Sequence, residues 1–141
     1  MNISAWRIRN LSSLTMLIFG LLALLFGVVG LLSPATMLQA MNLQVLDMAQ
    51  RTEGDYTLMF LTASSMASFN MGVYYILASL NNLKIFYRWT VPFRVVTFTV
   101  FTLAVMRGIA PSGFIAVGAW ELVGAILTGL ALWYESSRNI E

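Results

Sequence analysis

Glu121 and Arg107 are the residues of this sequence best suited to chemistry, because each carries a charge within a long apolar stretch. A charged group at membrane depth is costly and is a candidate for function by default. Glu121 lies about two helical turns inside its stretch, roughly 10 Å at 1.5 Å per residue, and must therefore be paired or protonated. We expect an Arg107–Glu121 ion pair across an axial offset of about 7 Å. A ligand-binding or proton-handling role for Glu121 is the alternative.

Asn70 also needs a partner, because an amide left unpaired in hydrocarbon costs several kcal/mol. We predict a hydrogen bond from Asn70 to a neighbouring helix, and the alternative is a contact with a bound ligand. Arg94 lies near the start of the third apolar stretch, where a long side chain can reach the membrane surface. Lipid headgroups are the expected partners of three basic residues: Arg94, Lys84 and Arg88.

The residue types that are missing exclude several chemistries. The chain has no cysteine and no histidine, which excludes thiolate nucleophiles, disulfides and haem ligation by imidazole. The sequence also lacks a glycine-rich phosphate loop, a GxSxG motif and paired acidic metal ligands. We therefore expect no catalytic residue, no metal site and no enzymatic activity. No cofactor is required, although a lipid, a quinone or a pigment could be bound between helices.

The composition is that of an integral membrane protein. Of the 141 residues, 59% are hydrophobic and 10% are charged, whereas about 25% of the residues in an average soluble domain are charged. A mean hydropathy of +0.79 leaves too little polar surface to cover a soluble fold. The net charge of only +2 does not indicate a nucleic-acid partner.

Four apolar stretches reach the length of about 20 residues that a helix needs to cross the hydrocarbon core. They cover residues 11–32, 56–80, 89–109 and 114–134. The connections after the second and third stretches are short, so the helices that they join must be antiparallel neighbours. The sequence thus predicts an all-α fold, in which residues 1–141 form a single domain with a bundle of four transmembrane helices.

The connection between the first and second spans is the only long one. It opens with Ser33-Pro34, a pair typical of a helix start. Met37, Leu38 and Met41 then recur at helical spacing, which predicts a short interfacial helix on the outer membrane surface. A flexible, Met-rich lid or partner surface is the alternative.

The distribution of basic residues predicts the orientation of the spans by the positive-inside rule. The side of the two termini carries Arg7, Arg9, Lys84, Arg88, Arg94 and Arg138, and the opposite side carries Arg51 and Arg107. We therefore expect both termini in the cytoplasm.

Small residues form smooth faces on three of the predicted helices. They are Gly20, Ala23, Gly27 and Gly30 on the first helix, Ser64, Ser68 and Gly72 on the second, and Gly118, Gly124 and Ala125 beside Glu121 on the fourth. Such faces let helices associate in lipid because they allow close backbone contact. Ala63, Ala67 and Asn70 give the second helix another face for protein contact. Packing within the bundle and packing against another subunit both remain open.

The sequence resembles the DoxX-like four-helix membrane proteins of bacteria. The resemblance rests on Gly20, Gly27 and Gly30 running into Leu32-Ser33-Pro34-Ala35, on Gly72, on Arg107-Gly108 and on Glu121. It implies a four-span bundle in the bacterial inner or intracytoplasmic membrane. Some members accompany membrane oxidoreductases as small subunits, so the resemblance implies an accessory role. The serine-rich second helix and the long Met-rich outer loop depart from the family pattern, and no family site residue is carried over.

The function expected from the sequence is that of a non-catalytic accessory subunit. It would pack by its small-residue faces against a larger respiratory, photosynthetic or other membrane complex, as a hetero- or homo-oligomer in contact with membrane lipids. The alternative is a binding protein or carrier for a small apolar molecule, such as a quinone or a lipid, held between helices near Asn70, Arg107 and Glu121.

Overall fold

The computed structural model describes residues 10–138, and within that range it contains helices and no strand. Five α-helices follow one another in these residues, with a short 3-10 turn at Met48–Gln50. The helices are α1 (Leu11–Leu32), α2 (Pro34–Ala40), α3 (Thr57–Leu80), α4 (Lys84–Met106) and α5 (Phe114–Arg138). The all-α prediction is confirmed. Arg7 and Arg9, on which the predicted orientation partly rests, lie outside the described residues.

Three of the helices are followed by a residue in the left-handed backbone conformation. Asn42 after α2, Asn82 after α3 and Gly108 after α4 have φ values of 56°, 52° and 69°. In each case the next residue donates its N–H to a carbonyl in the last helical turn, as Leu83 does to Ala78 at 3.0 Å. This is the Schellman arrangement, which satisfies the last carbonyls of a helix. The turn between α3 and α4 is consequently very short.

The helices α1, α4 and α5 are long and apolar enough to cross a membrane, as expected of a membrane-spanning protein. The second predicted span, residues 56–80, also forms a helix, α3, with 24 residues. It is not among the helices with a continuous stretch apolar enough to cross a membrane, because serines and Asn70 are spread among its apolar side chains. Its length is nevertheless that of a span.

The chain packs as two compact units. The first unit contains the start of α1 up to Phe19 and the chain from Tyr75 onward, which includes the end of α3 and all of α4 and α5. Its apolar core is small and includes Met16, Phe19, Tyr75 and Tyr87. The second unit is Gly20–Tyr74, which holds the rest of α1, α2, the outer loop and most of α3.

The first unit has a polar interior and an apolar surface. Its buried polar side chains are Ser12, Ser13, Ser79, Thr90, Arg94 and Thr128. By contrast, Phe93 on α4 and Trp133 on α5 are each 70% exposed. A soluble domain has the opposite arrangement, whereas lipid covers apolar surfaces at no cost.

Candidate functional site

The Arg94 side chain lies at the centre of the first unit. Only 3% of this residue is exposed, which is rare for an arginine. The central carbon of its guanidinium is 4.6 Å from the ring centroid of Phe19 on α1 and 4.8 Å from that of Tyr75 on α3. The negative faces of two aromatic rings therefore stabilise the buried cation.

Glu121 is the acidic partner of Arg94. Its Oε2 atom is 3.6 Å from Arg94 Nε, and 28% of its side chain is exposed. This distance allows attraction between the charges but is too long for a hydrogen bond. The Nε and Nη1 atoms of Arg94 are buried and have no hydrogen-bond partner among the described residues.

Gly124, one turn after Glu121 on α5, makes room for the guanidinium. A side-chain carbon on Gly124 would collide with Arg94 Nη1. The ring of Phe19 also contacts Trp120, with centroids 4.5 Å apart. The site therefore combines an enclosed cation, a partly exposed carboxylate and aromatic side chains. The N–H groups of Arg94 that have no partner within residues 10–138 can donate hydrogen bonds to an oxygen atom of a ligand.

The expected Arg107–Glu121 pair is wrong, since the structure pairs Glu121 with Arg94. Arg107 follows the last residue of α4 and is exposed. The expectation that Arg94 reaches lipid headgroups is also wrong, because the side chain is buried. Both errors have one cause. The helix begins at Lys84 and not at residue 89, which places Arg94 near the middle of α4 and within reach of Glu121.

A sequence signal for this arrangement exists in α4. Its only buried residues are Tyr87, Thr90 and Arg94, which are spaced three and four apart and so lie on one face. A polar stripe along an otherwise apolar helix points toward the protein interior. Arg94 taken singly does not reveal this stripe, which becomes visible only when the three residues are read together.

A second polar cluster joins the ends of three helices. Both carboxylate oxygens of Glu135 on α5 bind the first turn of α1, where Ser12 donates its backbone N–H at 2.7 Å and its hydroxyl at 3.0 Å. Lys84 at the start of α4 forms an ion pair with Glu135 at 3.0 Å. Negative charge at a helix N-terminus is favourable, so Glu135 caps α1. Arg88, one turn after Lys84, is exposed.

Side chains beside Glu135 extend the cluster. Asn10 donates to Asn82 at 2.9 Å, and Ser79 donates to the carbonyl of Ser13 at 2.6 Å. The hydroxyl of Tyr87 donates to the carbonyl of Ala78 at 2.9 Å. Sequence reasoning missed these contacts because each joins residues on different helices or turns, and the spacing within one helix does not reveal them.

The glycine stripe of α1 faces α3 within the second unit. A side-chain carbon on Gly27 would lie 2.5 Å from the backbone nitrogen of Phe69, and one on Gly30 would collide with Ser65. A side-chain carbon on Gly72 would lie 2.5 Å from the backbone nitrogen of Leu24 and 2.8 Å from the carbonyl oxygen of Gly20. In addition, Ser68 donates to the carbonyl of Ala23 at 2.9 Å. These helices thus touch backbone to backbone.

The remaining small residues have different neighbours. Ser64 is exposed and donates to Leu61 of its own helix at 3.0 Å. Gly118 lies against the phenylalanines of α4, and Ala125 is buried.

Asn70 is half-buried, and Ala63 and Ala67 on the same face of α3 are exposed. Within residues 10–138 we find no hydrogen bond from the Asn70 side chain and no cluster of three acidic residues that could hold a metal ion. No family model, no curated protein and no solved structure matches this chain.

Proposed function

We propose that this chain is a non-catalytic subunit of a larger membrane protein assembly. The observation that carries this proposal is the outward face of α3. Ala63, Ala67 and Asn70 recur there at spacings of four and three, with both alanines exposed and the amide half-buried.

Lipid is a poor neighbour for this face. Acyl chains offer no hydrogen bond to the amide of Asn70, whereas a second helix can supply one and can approach closely over alanines. The opposite face of α3 already contacts α1 through Ser68 and Gly72. A partner helix on the outward face therefore explains why serines and Asn70 lie among the apolar side chains of α3.

We further propose that α3 is a fourth span. The starts of α1 and α4 lie at the same end of the first unit, because Glu135 binds both Ser12 and Lys84. If α1 crosses the membrane, the chain must return before α4 begins. Between Leu32 and Lys84 only α3 is long enough, since its 24 residues extend about 36 Å.

An even number of spans brings both termini to one side. Lys84, Arg88 and Arg138 support a cytoplasmic location for that side, with Arg51 and Arg107 opposite. The helix α2 and its loop then lie at the outer surface. An accessory role in a bacterial inner membrane, with lipids and other transmembrane subunits as neighbours, is also what the resemblance to DoxX-like proteins implies.

Gentle detergent extraction, size separation and mass spectrometry test the subunit proposal. The chain should migrate with a larger assembly. Substitution of Ala67 by leucine places bulk on the outward face of α3 and should release the chain from the assembly. Ala119→Leu is the matched control, because Ala119 is an exposed alanine on α5. Migration of the unmodified chain alone, or equal behaviour of the two variants, would contradict the proposal.

A binding function is the second candidate, and two nitrogens of Arg94 without a hydrogen-bond partner in the described part of the chain favour it. A quinone or lipid carbonyl could accept hydrogen bonds from this guanidinium after entering beside the partly exposed Glu121. Organic extraction of the purified protein, followed by mass spectrometry, should then recover a stoichiometric apolar molecule that Arg94→Met loses and Arg107→Gln retains. Recovery of nothing but bulk lipid from all three proteins rejects this function.

A further inference from the structure

An open depression lies where the starts of α1 and α4 meet the end of α5. Its volume is about 510 Å³, and its lining residues are Asn10, Leu11, Lys84, Tyr134, Glu135 and Arg138. All six belong to the first unit. They also lie at the ends of the three apolar helices, which is the level of the lipid headgroups in a bilayer.

The depression carries a net positive charge. Lys84 and Arg138 contribute two positive charges, and Glu135 contributes one negative charge. Both carboxylate oxygens of Glu135 already have partners. Each accepts a hydrogen bond from Ser12, and one of them also forms the ion pair with Lys84. An incoming anion therefore meets little repulsion from a carboxylate whose charge is compensated.

Both cations retain donor capacity for a ligand. The side chain of Lys84 is 36% exposed and contacts Glu135 with one of three ammonium hydrogens. The guanidinium of Arg138 lies over the ring of Tyr134, 4.7 Å from its centroid. Arg138 is exposed, so the N–H groups that do not face the ring remain available to phosphate oxygens.

The rim of the depression is apolar. Leu11 is 50% exposed and Tyr134 is 41% exposed, and the neighbouring Trp133 is exposed as well. A small soluble anion would make no use of this surface. A molecule with a phosphate head and acyl chains would contact the cations and the rim together.

We propose that this depression binds the phosphate headgroup of an anionic phospholipid. Lys84 and Arg138 hold the phosphate oxygens, and Leu11 and Tyr134 contact the start of the acyl chains. Arg88, exposed one turn after Lys84, adds positive charge at the same level. The site is separate from the outward face of α3 and from Arg94, and it does not depend on the proposed subunit role.

Native mass spectrometry in a neutral detergent tests this proposal. The purified protein is mixed with phosphatidylglycerol or with phosphatidylcholine of the same acyl chains, and bound lipid is counted. We expect one phosphatidylglycerol to remain bound at collision energies that remove phosphatidylcholine. Arg138→Gln should weaken phosphatidylglycerol binding about fivefold, the factor expected when one basic residue at the membrane surface is lost.

Arg107→Gln is the matched control, since it removes the same charge from an exposed position at the end of another helix. It should leave binding unchanged. Equal retention of the two lipids, or an equal effect of the two substitutions, overturns the proposal. Glycerol phosphate distinguishes a lipid from a soluble phosphate compound. If millimolar glycerol phosphate displaces bound phosphatidylglycerol as effectively as added phosphatidylglycerol does, the assignment to a lipid is overturned.

Discussion

Arg94 owes its stability inside the protein to neighbours on three other helices. Two aromatic rings, one carboxylate and the space left by Gly124 surround its guanidinium. A charge at such depth depends on all of these partners, because each ring contributes about 1–2 kcal/mol when water is excluded. Loss of one member of a buried ion pair leaves the other without compensation.

We expect Glu121→Gln and Arg94→Met each to lower the free energy of unfolding by about 3–5 kcal/mol. The double variant should be destabilised by clearly less than the sum, because it leaves no unpaired charge. Unfolding by titration of SDS into mixed micelles measures all three. Arg107→Gln should change the free energy little, since Arg107 is exposed. Additive effects of the two substitutions would show that Arg94 and Glu121 do not act as a pair.

Asp55 stabilises the start of α3 outside the apolar part of that helix. Its carboxylate accepts hydrogen bonds from the hydroxyl and the backbone N–H of Thr57, and it pairs with Arg51 at 2.8 Å. The hydrogen bonds from Thr57, followed by the charge of Arg51, lower the pKa of Asp55 below its usual value. The ionised form is therefore the stabilising one. Its contribution is present above the ordinary aspartate pKa of about 3.9 and is lost as the pH falls through the lowered pKa.

Carboxyl NMR titration in micelles checks this assignment. Thr57→Val removes the hydroxyl donor and should raise the pKa of Asp55 toward the usual aspartate value. Arg51→Gln removes a positive charge and a hydrogen bond and should also raise the pKa of Asp55, because both lower it in the original protein. An unchanged pKa of Asp55 in Thr57→Val would mean that the hydroxyl of Thr57 is not a cause of the lowered pKa.

At the scale of elements, the contact between α1 and α3 depends on the absence of side chains. We expect Gly27→Ala to destabilise the protein by about 1–3 kcal/mol, the usual cost of overpacking. The added carbon would meet the backbone of Phe69, which cannot turn away as a side chain can. Thermal unfolding in detergent measures the difference.

Gly129→Ala is the control for this substitution. The added carbon would lie 3.7 Å from the Val91 side chain, an ordinary contact. Alanine also favours a helix by about 1 kcal/mol over glycine, so this variant should be as stable as the original protein or more stable. Similar losses in both variants would contradict close packing against Phe69 as the cause, because helix propensity alone predicts a gain in stability for both.

The helix limits show how far the sequence could be read. The predicted limits of α1 coincide with the observed Leu11–Leu32, since Ser33-Pro34 marks its end. The prediction for α4 began five residues late, because hydropathy detects the apolar part of a helix and Lys84 and Arg88 lie before that part. The helix actually begins at Lys84, two residues after Asn82, whose left-handed backbone conformation ends α3.

The candidate site could be predicted only in part. Glu121 was identifiable because a single carboxylate in an apolar helix is conspicuous. Its partner was not identifiable, because rotation and axial offset of neighbouring helices depend on contacts between distant residues. The hydrogen bonds between Ser12 and Glu135, which are 123 residues apart, were not identifiable for the same reason. Spacing within one helix reveals a face but not what lies against it.

At the scale of the whole molecule, the location of polar groups indicates what holds the helices together. Buried serines, threonines and Arg94 occupy the interior of the first unit, and large apolar side chains cover its outside. In lipid, burial of apolar surface gives no net driving force for helix association. Hydrogen bonds and close packing therefore provide the stability.

The proposed topology leads to a labelling prediction. The chain has no cysteine, so single cysteines can be introduced at the exposed positions Gln44, Ser112 and Ser137. Four spans place the first two on the outer side and Ser137 in the cytoplasm. A membrane-impermeant thiol reagent applied to intact cells should label the cysteines at positions 44 and 112 only. Labelling of positions 44 and 112 from opposite sides would mean that α3 does not cross.

The cap that Glu135 provides for α1 can form only late in the synthesis of the chain. Ser12 leaves the ribosome 123 residues before Glu135, and translation at about 5–20 residues per second separates them by roughly 6–25 s. During that interval the first turn of α1 lacks its carboxylate partner. Within residues 10–138 the first helix is thus completed by the last one, and a nascent chain stalled before α5 presents to the insertion and quality-control machinery of the membrane an α1 that is capped by the Asn10 side chain but not by Glu135.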